Sequence, residues 1–374
     1  MGFHLQIKNY RVIRSVDMEA DGVCVLVGPN GSGKSTLLSA IEFLRNAFDR
    51  GFNAALNFSG GPWGFTNISS PKDMPTTFAI KISDLQWEIT PTVTSNGAVY
   101  PIPEELKYHN RVISYLSEDI TDNNVEDKFS PSQSLLLRRK YDSHSGDGVF
   151  ENIKVPFVRV LRQYQHYSNY HLWTLRKSGS LAGNEISLQY GGQNAFSVLR
   201  NWHSSKPLRE RYDFVIETLK EAFPVFFGDL DFESAGQTVS IRIYPPDSDI
   251  PVPVYFISNG FLTALLHLMA VCSAPDGGII GIDEPENGLH PYAIKVIIEA
   301  FRDRAEDRNL TVLLATHSTF ILNAFNEEPD KVFIMDHDEE EEFVRLDKIR
   351  DPEWLKYFAL GDLYGKDFAI QEKR

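Results

Sequence analysis

Val23-Cys24-Val25-Leu26-Val27-Gly28-Pro29-Asn30-Gly31-Ser32-Gly33-Lys34-Ser35-Thr36 decides how the chain folds. The first five residues form a continuous apolar run, the pattern of a strand buried on both faces. Gly28 to Ser35 then match the phosphate-loop pattern Gly-x-x-x-x-Gly-Lys-Ser/Thr in full. The glycines let the backbone curl until successive N–H groups point inward, and the helix beginning near Lys34 adds the positive end of its dipole. Asn30, Gly31, Ser32, Gly33 and Thr36 are therefore expected to embrace a nucleoside triphosphate, with Thr36 nearest the α-phosphate. Lys34 is expected to reach the β- and γ-phosphates and Ser35 to bind Mg²⁺, which makes ATP and Mg²⁺ the expected cofactors.

Working outward, Leu37, Leu38, Ile41, Leu44 and Phe48 recur at helical spacing, so the local order is strand, glycine-rich turn, helix. Upstream, Phe3 to Ile7 alternates and Val12 to Met18 alternates less cleanly, which predicts a strand pair ahead of the loop. From 51 to 150, Gly60-Gly61-Pro62, Pro71, Pro75, Pro101 and Pro103 break up short β-like stretches, Thr77 to Ile82 and Leu85 to Thr90 among them; an irregular β-rich lobe is expected. An inserted helical subdomain is expected over 151–250, with a helix from Arg209 to Phe223 and a strand from Val239 to Tyr244.

Beyond 250 the rhythm is strictly alternating. Helices are expected at Gly260 to Cys272, Pro291 to Arg304 and Thr319 to Phe325, and strands at Gly278 to Ile282, Leu310 to Ala315 and Lys331 to Met335. Such alternation implies parallel pairing through right-handed crossovers. The fold class is thus α/β: a P-loop NTPase with a mostly parallel central sheet, an N-terminal β-rich lobe and an inserted helical subdomain. Residues 1–335 form the expected ATPase domain and 336–374 a C-terminal extension, in which the acidic run Asp336 to Glu342 reads as a solvated loop.

A second stretch supplies the chemistry. The strand Gly278 to Ile282 ends in Asp283-Glu284, and a buried strand ending in two carboxylates needs a cation or hydrogen-bond donors to offset their desolvation. Asp283 is expected to hold Mg²⁺, and Glu284 to polarise the attacking water as general base. Leu313-Leu314-Ala315-Thr316-His317-Ser318 is another apolar strand whose tip carries His317, placed to touch the γ-phosphate and that water. Ser258-Asn259-Gly260 opens a long apolar helix; a hydroxyl at a helix N-terminus is either a cap or an anion site. His290 reaches a site only if its turn borders one.

The motif order resembles the ABC-type ATPase heads of the structural-maintenance-of-chromosomes and RecF group, and most of all the stand-alone predicted ATPases termed AAA15 and AAA21, which also form the ATPase half of overcoming-lysogenization-defect nucleases. The residues carrying the resemblance are Gly28 to Thr36, Ser258-Asn259-Gly260 as a variant signature loop, Asp283-Glu284-Pro285-Glu286-Asn287-Gly288-Leu289-His290-Pro291, and Ala315-Thr316-His317-Ser318. The resemblance implies a dimer in which Ser258, Asn259 and Gly260 of one copy cap the ATP of the other, with Pro285 to Gly288 linking the two sites. Phe261 stands where members usually carry a small or polar residue. Gln86, Gln163 and Gln165 are the candidates for the family's Q-loop glutamine. Nothing after Ala315 resembles the nuclease domain that some members append, so the resemblance implies a separate effector, a nuclease or toxin in an anti-phage system.

Composition narrows the classes further. With 374 residues and 42% apolar content the core is ample, and the longest apolar stretch, Phe261 to Ala274, is too short to span a bilayer. No membrane insertion and a cytoplasmic location are expected. Cys24 and Cys272 lie apart from any metal or redox spacing and read as buried thiols. A net charge of −14 argues against a surface that coats nucleic acid. A local basic groove remains open: Arg138-Arg139-Lys140, Arg159, Arg162, Arg176-Lys177 and Arg200 to Arg211, interleaved with Tyr164, Tyr167, Tyr170, Trp173 and Trp202, would suit an ATP-dependent DNA clamp. A transporter ATPase subunit fits less well, because Lys34 lies far from Asp283 and the signature lacks a Gly-Gly-Gln ending.

Overall fold

The computed structural model describes residues 2–61, 64–67, 74–93, 99–100, 103–116, 137, 148–335 and 343–365. The acidic run 336–342 and the basic triplet 138–140 lie outside these residues.

Six strands form the central sheet in the order Gln165–Tyr167, Ile279–Asp283, Thr311–Ala315, Gly22–Val27, Val332–Met335 and Phe343–Arg345. All neighbours are parallel except the last pair. Alternate residues of each strand serve opposite cores, as the two-residue period of a strand demands. Val23, Val25, Val27, Ile280, Ile282, Val312 and Leu314 join one hydrophobic cluster; Cys24, Leu26, Ile279, Leu313 and Ala315 join the other. A sheet covered on both faces explains why these strands read as unbroken apolar runs.

On one face lie the phosphate-loop helix Lys34–Arg50 and a six-stranded antiparallel sheet. That sheet runs Ile13–Ala20, Phe3–Tyr10, Thr77–Ile82, Leu85–Ile89, Glu104–Tyr108 and Arg111–Leu116. The expected boundary of the β-rich lobe at residue 51 therefore cuts through one sheet, because the N-terminal strand pair supplies two of its members. Phe3–Tyr10 pairs with Thr77–Ile82 across a long sequence separation, and local patterning carries no signal for such pairing. The lobe also contains a helix, Phe52–Phe58.

The other face carries the helices Asn259–Ser273, Pro291–Arg308, Ala195–Ser204 and Arg209–Ala222. The region 151–250, expected as a helical subdomain with a strand at Val239 to Tyr244, contains further strands. Gln165–Tyr167 is the outer strand of the central sheet, and Asp229–Ala235 with Thr238–Tyr244 forms a hairpin at the heart of a further antiparallel sheet. A three-residue strand is below what alternation reveals. The expected start of an extension at 336 is corrected likewise, since Phe343–Arg345 pairs with Val332–Met335 and widens the core sheet.

Asn259–Ser273 is buried on nearly every side, which accounts for its apolar character all round. Phe261 turns into this core against Phe223, Phe226 and Phe227, with ring centroids 5.2, 5.7 and 5.0 Å away. Its departure from the family pattern is thus a packing feature. Replacing Phe261 by Ala is expected to cost about 3–5 kcal/mol, read as a lower urea midpoint at unchanged slope; a loss below about 1 kcal/mol would show that the four rings do not support one another.

His267, on the same helix, accompanies Tyr170, whose hydroxyl lies 3.0 Å from its Nδ1. Burial pushes its pKa down to about 4, against an upward pull from the Pro285 carbonyl. An unfolded chain protonates this ring below its ordinary 6.5. Between that value and about 4 the unfolded state binds more protons, so stability falls as pH drops through the window. From pH 7 to pH 5 the chain should lose on the order of 2 kcal/mol relative to His267→Gln in chemical denaturation. Parallel pH profiles for the two proteins would contradict this.

Candidate functional site

Register brings the two motifs together. Leu26, Ala315 and Asp283 are level across three adjacent parallel strands, so Gly28, Thr316 and Glu284 all emerge at the same carboxyl edge, where open α/β sheets place ligands. Gly28 and Gly33 are the tight points of the loop. A Cβ at Gly28 would sit 2.1 Å from the Met335 carbonyl oxygen, and Gly33 turns at φ 104° immediately before the helix starts.

Below the loop the Lys34 ammonium donates to the carbonyls of Gly28 (2.8 Å) and Pro29 (2.9 Å). Burial pushes its pKa down to about 8, while Asp283, Glu284 and Glu286 pull it up. Lys34 is buried, as is Ser32, whose hydroxyl has no hydrogen-bond partner among the described residues. A loop with an unpaired buried hydroxyl and a lysine resting on its own carbonyls fits a phosphate-bearing ligand that engages both.

A cavity of about 230 Å³ opens above the loop. Asn30, Gly31, Gly33, Lys34, Ser35 and Thr36 form its floor; Asp283, Glu284 and His317 form the opposing wall. Burial alone would raise the Asp283 pKa, but the neighbouring His166 and Ser35 side chains and the charge of Lys34 hold it below the usual carboxylate range. A hard-oxygen pair of Ser35 and Asp283 is the donor set that Mg²⁺ takes alongside phosphate oxygens. Glu284 is exposed at φ 48°, left-handed for a non-glycine residue, and accepts from Asn287 Nδ2 at 2.7 Å. His317 is pushed down in pKa by burial and then by Lys34, with the carboxylates opposing.

The structure does not bring Ser258, Asn259 or Gly260 to this cavity. Ser258 caps its helix by accepting from the Phe261 N–H at 3.2 Å, and Ser258 and Asn259 are exposed. Gly260 is buried against the acidic turn: a Cβ there would meet the Gly288 carbonyl oxygen at 2.3 Å. His290 is the N-cap of Pro291–Arg308, accepting from Tyr292 N–H at 3.2 Å, and lies outside the cavity lining.

None of the three glutamine candidates lines the cavity. Gln86 belongs to the antiparallel sheet, and Gln163 and Gln165 line a separate cavity of about 280 Å³ with Arg159, Arg162 and Arg211. The larger cavity lacks the loop, the paired carboxylates and the helix start, so the chemistry belongs to the smaller one. The basic groove left open by the sequence loses three of its five aromatics, because Tyr164, Tyr167 and Trp202 are core residues, while Trp173 is exposed.

Two residues were not singled out from sequence, and a third, Glu286, was named only within the acidic motif. His166 on the outer strand sits between Asp283 (3.7 Å) and Glu42 (3.8 Å); burial alone would lower its pKa, but these two carboxylates raise it. Glu286 accepts from Thr316 Oγ1 at 2.7 Å and from His317 N–H at 3.2 Å, tying the acidic turn to the histidine strand. Tyr364 reaches back from the short helix Leu360–Tyr364 to the Gly28 carbonyl at 3.0 Å. Only Glu286 had a signal, its place in the acidic motif; the other two depend on tertiary position.

Comparison with known proteins agrees with this geometry. The family described as "AAA domain, putative AbiEii toxin, Type IV TA system" matches residues 23–323. The chain is similar to the OLD nuclease of Thermus scotoductus, 21% identical over 93% of this chain and 66% of that protein. It is also similar to the energy-coupling factor transporter ATP-binding protein EcfA2 of Ligilactobacillus salivarius, 32% identical over 25% of this chain and 32% of that protein. The chain thus spans less than two thirds of the length of either relative. Among solved structures, an SmcHead bound to the C-winged helix domain of ScpA superposes with a TM-score of 0.51 at 13% identity, covering 93% of this chain and 99% of that one, and shows the same head fold. Among the described residues no helix is long and apolar enough to cross a membrane. The chain belongs to this AAA domain family and is an ATP-binding, ATP-hydrolysing domain of the AAA/ABC superfamily.

Proposed function

We propose that this ATPase is a dimerising nucleotide switch that controls a partner effector, a nuclease or toxin in bacterial anti-phage defence. One observation carries the reading of the site: Lys34, Ser35, Asp283, Glu284 and His317, from three separate stretches, line one cavity. In this reading Asn30 to Thr36 hold the ATP phosphates. Lys34 spreads the charge developing on the β- and γ-phosphates, and Ser35 with Asp283 holds Mg²⁺. Bound Mg²⁺ supplies further neutralisation of phosphate charge. Glu284 accepts a proton from a water as the water oxygen bonds to the γ-phosphorus; the bond to the bridging oxygen breaks and its electron pair leaves with ADP.

Ser258, Asn259 and Gly260 are assigned to the ATP of a second copy. The exposure of Ser258 and Asn259, and the absence of all three residues from the cavity lining of their own chain, support action across a dimer interface. Gly260 packed on the Gly288 carbonyl then ties that trans contact to the turn carrying Glu284 in the same chain. The effector rests on the family description and on the similarity to an OLD nuclease. A DNA clamp draws support from Arg159, Arg162 and Arg211 around the larger cavity; DNA binding that requires ATP and weakens with salt would favour it.

Two experiments test the assignments. Glu284→Gln should bind ATP yet lose on the order of 10² to 10⁴ in turnover, and normal hydrolysis by this variant would remove Glu284 as the base. Lys34→Ala and Ser258→Arg should each be inactive alone. Mixed, they should recover about a quarter of wild-type turnover, because half the dimers would be mixed and each would hold one intact site. No recovery on mixing would place Ser258 in cis.

A further inference from the structure

We propose that Tyr364 is a positioning residue for His317: its hydroxyl fixes the neutral imidazole with the proton on Nδ1, so that Nε2 presents a lone pair to the cavity. The proposal rests on the reading of that cavity as the ATP site. The argument is one of hydrogen-bond direction. The Tyr364 hydroxyl lies 3.0 Å from the Gly28 carbonyl oxygen and 3.2 Å from His317 Nδ1. A carbonyl oxygen only accepts, so the single phenolic proton is directed to Gly28. The contact with His317 then runs the other way, with Nδ1–H donating to the phenolic oxygen. A neutral imidazole carries one N–H, which leaves Nε2 as an acceptor.

The support around Tyr364 is built to hold that hydroxyl in place. Its helix, Leu360–Tyr364, buries Leu360 and Leu363. The Leu360 N–H donates to Asn326 Oδ1 at 2.9 Å and the Gly361 N–H to Asn323 Oδ1 at 2.8 Å. A Cβ at Gly361 would lie 2.6 Å from the Thr319 carbonyl oxygen, so the approach depends on glycine. Thr319 and Asn323 bound the short helix that follows Ser318 directly. The segment bearing Tyr364 is therefore fastened to the helix that continues from His317, and both are referenced to the phosphate loop through Gly28.

An acceptor at Nε2 has a defined use. It holds one hydrogen of the attacking water while the other passes to Glu284, which aims an oxygen lone pair at the γ-phosphorus. A proton on Nε2 would point a donor at that water and leave its orientation unset. Docking of the C-terminal segment thereby becomes a condition for fast turnover.

The test uses the full chain labelled with ¹⁵N-histidine, the His317 signals being assigned by their loss in His317→Gln. Two-bond ¹H–¹⁵N correlation spectra should show neutral His317 in the Nδ1–H tautomer, and Tyr364→Phe should shift it toward Nε2–H. The same variant should bind ATP with unchanged affinity and lose about tenfold in kcat, the scale of a lost orienting partner. An Nε2–H tautomer in the unmodified chain overturns the proposal, as does a Tyr364→Phe protein with unchanged tautomer and unchanged kcat. A tautomer shift in a chain that never hydrolyses ATP would uphold the hydrogen-bond assignment and remove the ATPase reading instead.

Discussion

The buried ammonium of Lys34, facing Asp283, Glu284 and Glu286, is the interaction on which this structure turns. Desolvating a lysine is costly, and here the cost is offset by loop carbonyls and by carboxylates from the acidic strand and turn. The balance exists only because the parallel register sets Leu26, Ala315 and Asp283 level. A one-residue slip in either pairing would exchange the two cores and turn the carboxylates away from the loop. The same geometry that stabilises the strand tips therefore assembles the candidate phosphate site, so the stability of the sheet and the make-up of its edge are one constraint.

Around that edge, short contacts convert separate motifs into one unit. Glu286 binds the strand tip at Thr316 and His317, Gly260 rests on the Gly288 carbonyl, and His267 lies between Tyr170 and Pro285. The acidic turn thus touches the histidine strand and the helix Asn259–Ser273, whose His267 in turn meets Tyr170. A change in phosphate occupancy at Lys34 has a contiguous route to the exposed Ser258 and Asn259. In the switch proposed above, hydrolysis in one cavity would alter the surface shown to a second copy.

Much of this was legible in the sequence because the deciding signals are local. The run Val23 to Val27, the glycines at 28 and 33, and the doublet Asp283-Glu284 mark the buried strand, the turn and the cavity wall through composition and spacing alone. The strands Thr77–Ile82 and Thr238–Tyr244 and the helices Arg209–Ala222 and Asn259–Ser273 fall within a residue or so of where periodicity puts them. What stayed hidden depends on long-range pairing. Phe3–Tyr10 joins a strand more than 60 residues downstream, and Gln165–Tyr167 is too short to show a period. His166 and Tyr364 come beside Asp283 and His317 only through tertiary position, and Phe261 looked anomalous until its three phenylalanine partners were in view.

The most direct measurement is a crystal structure of the full chain with Mg²⁺ and a non-hydrolysable ATP analogue. The account predicts the β-phosphate within hydrogen-bond reach of the 31–35 amides, Lys34 moved from the Gly28 and Pro29 carbonyls onto the phosphates, and the metal within reach of Ser35 and Asp283. A nucleotide seated instead in the cavity lined by Arg159, Arg162 and Arg211, with Lys34 still on its own loop, would contradict it.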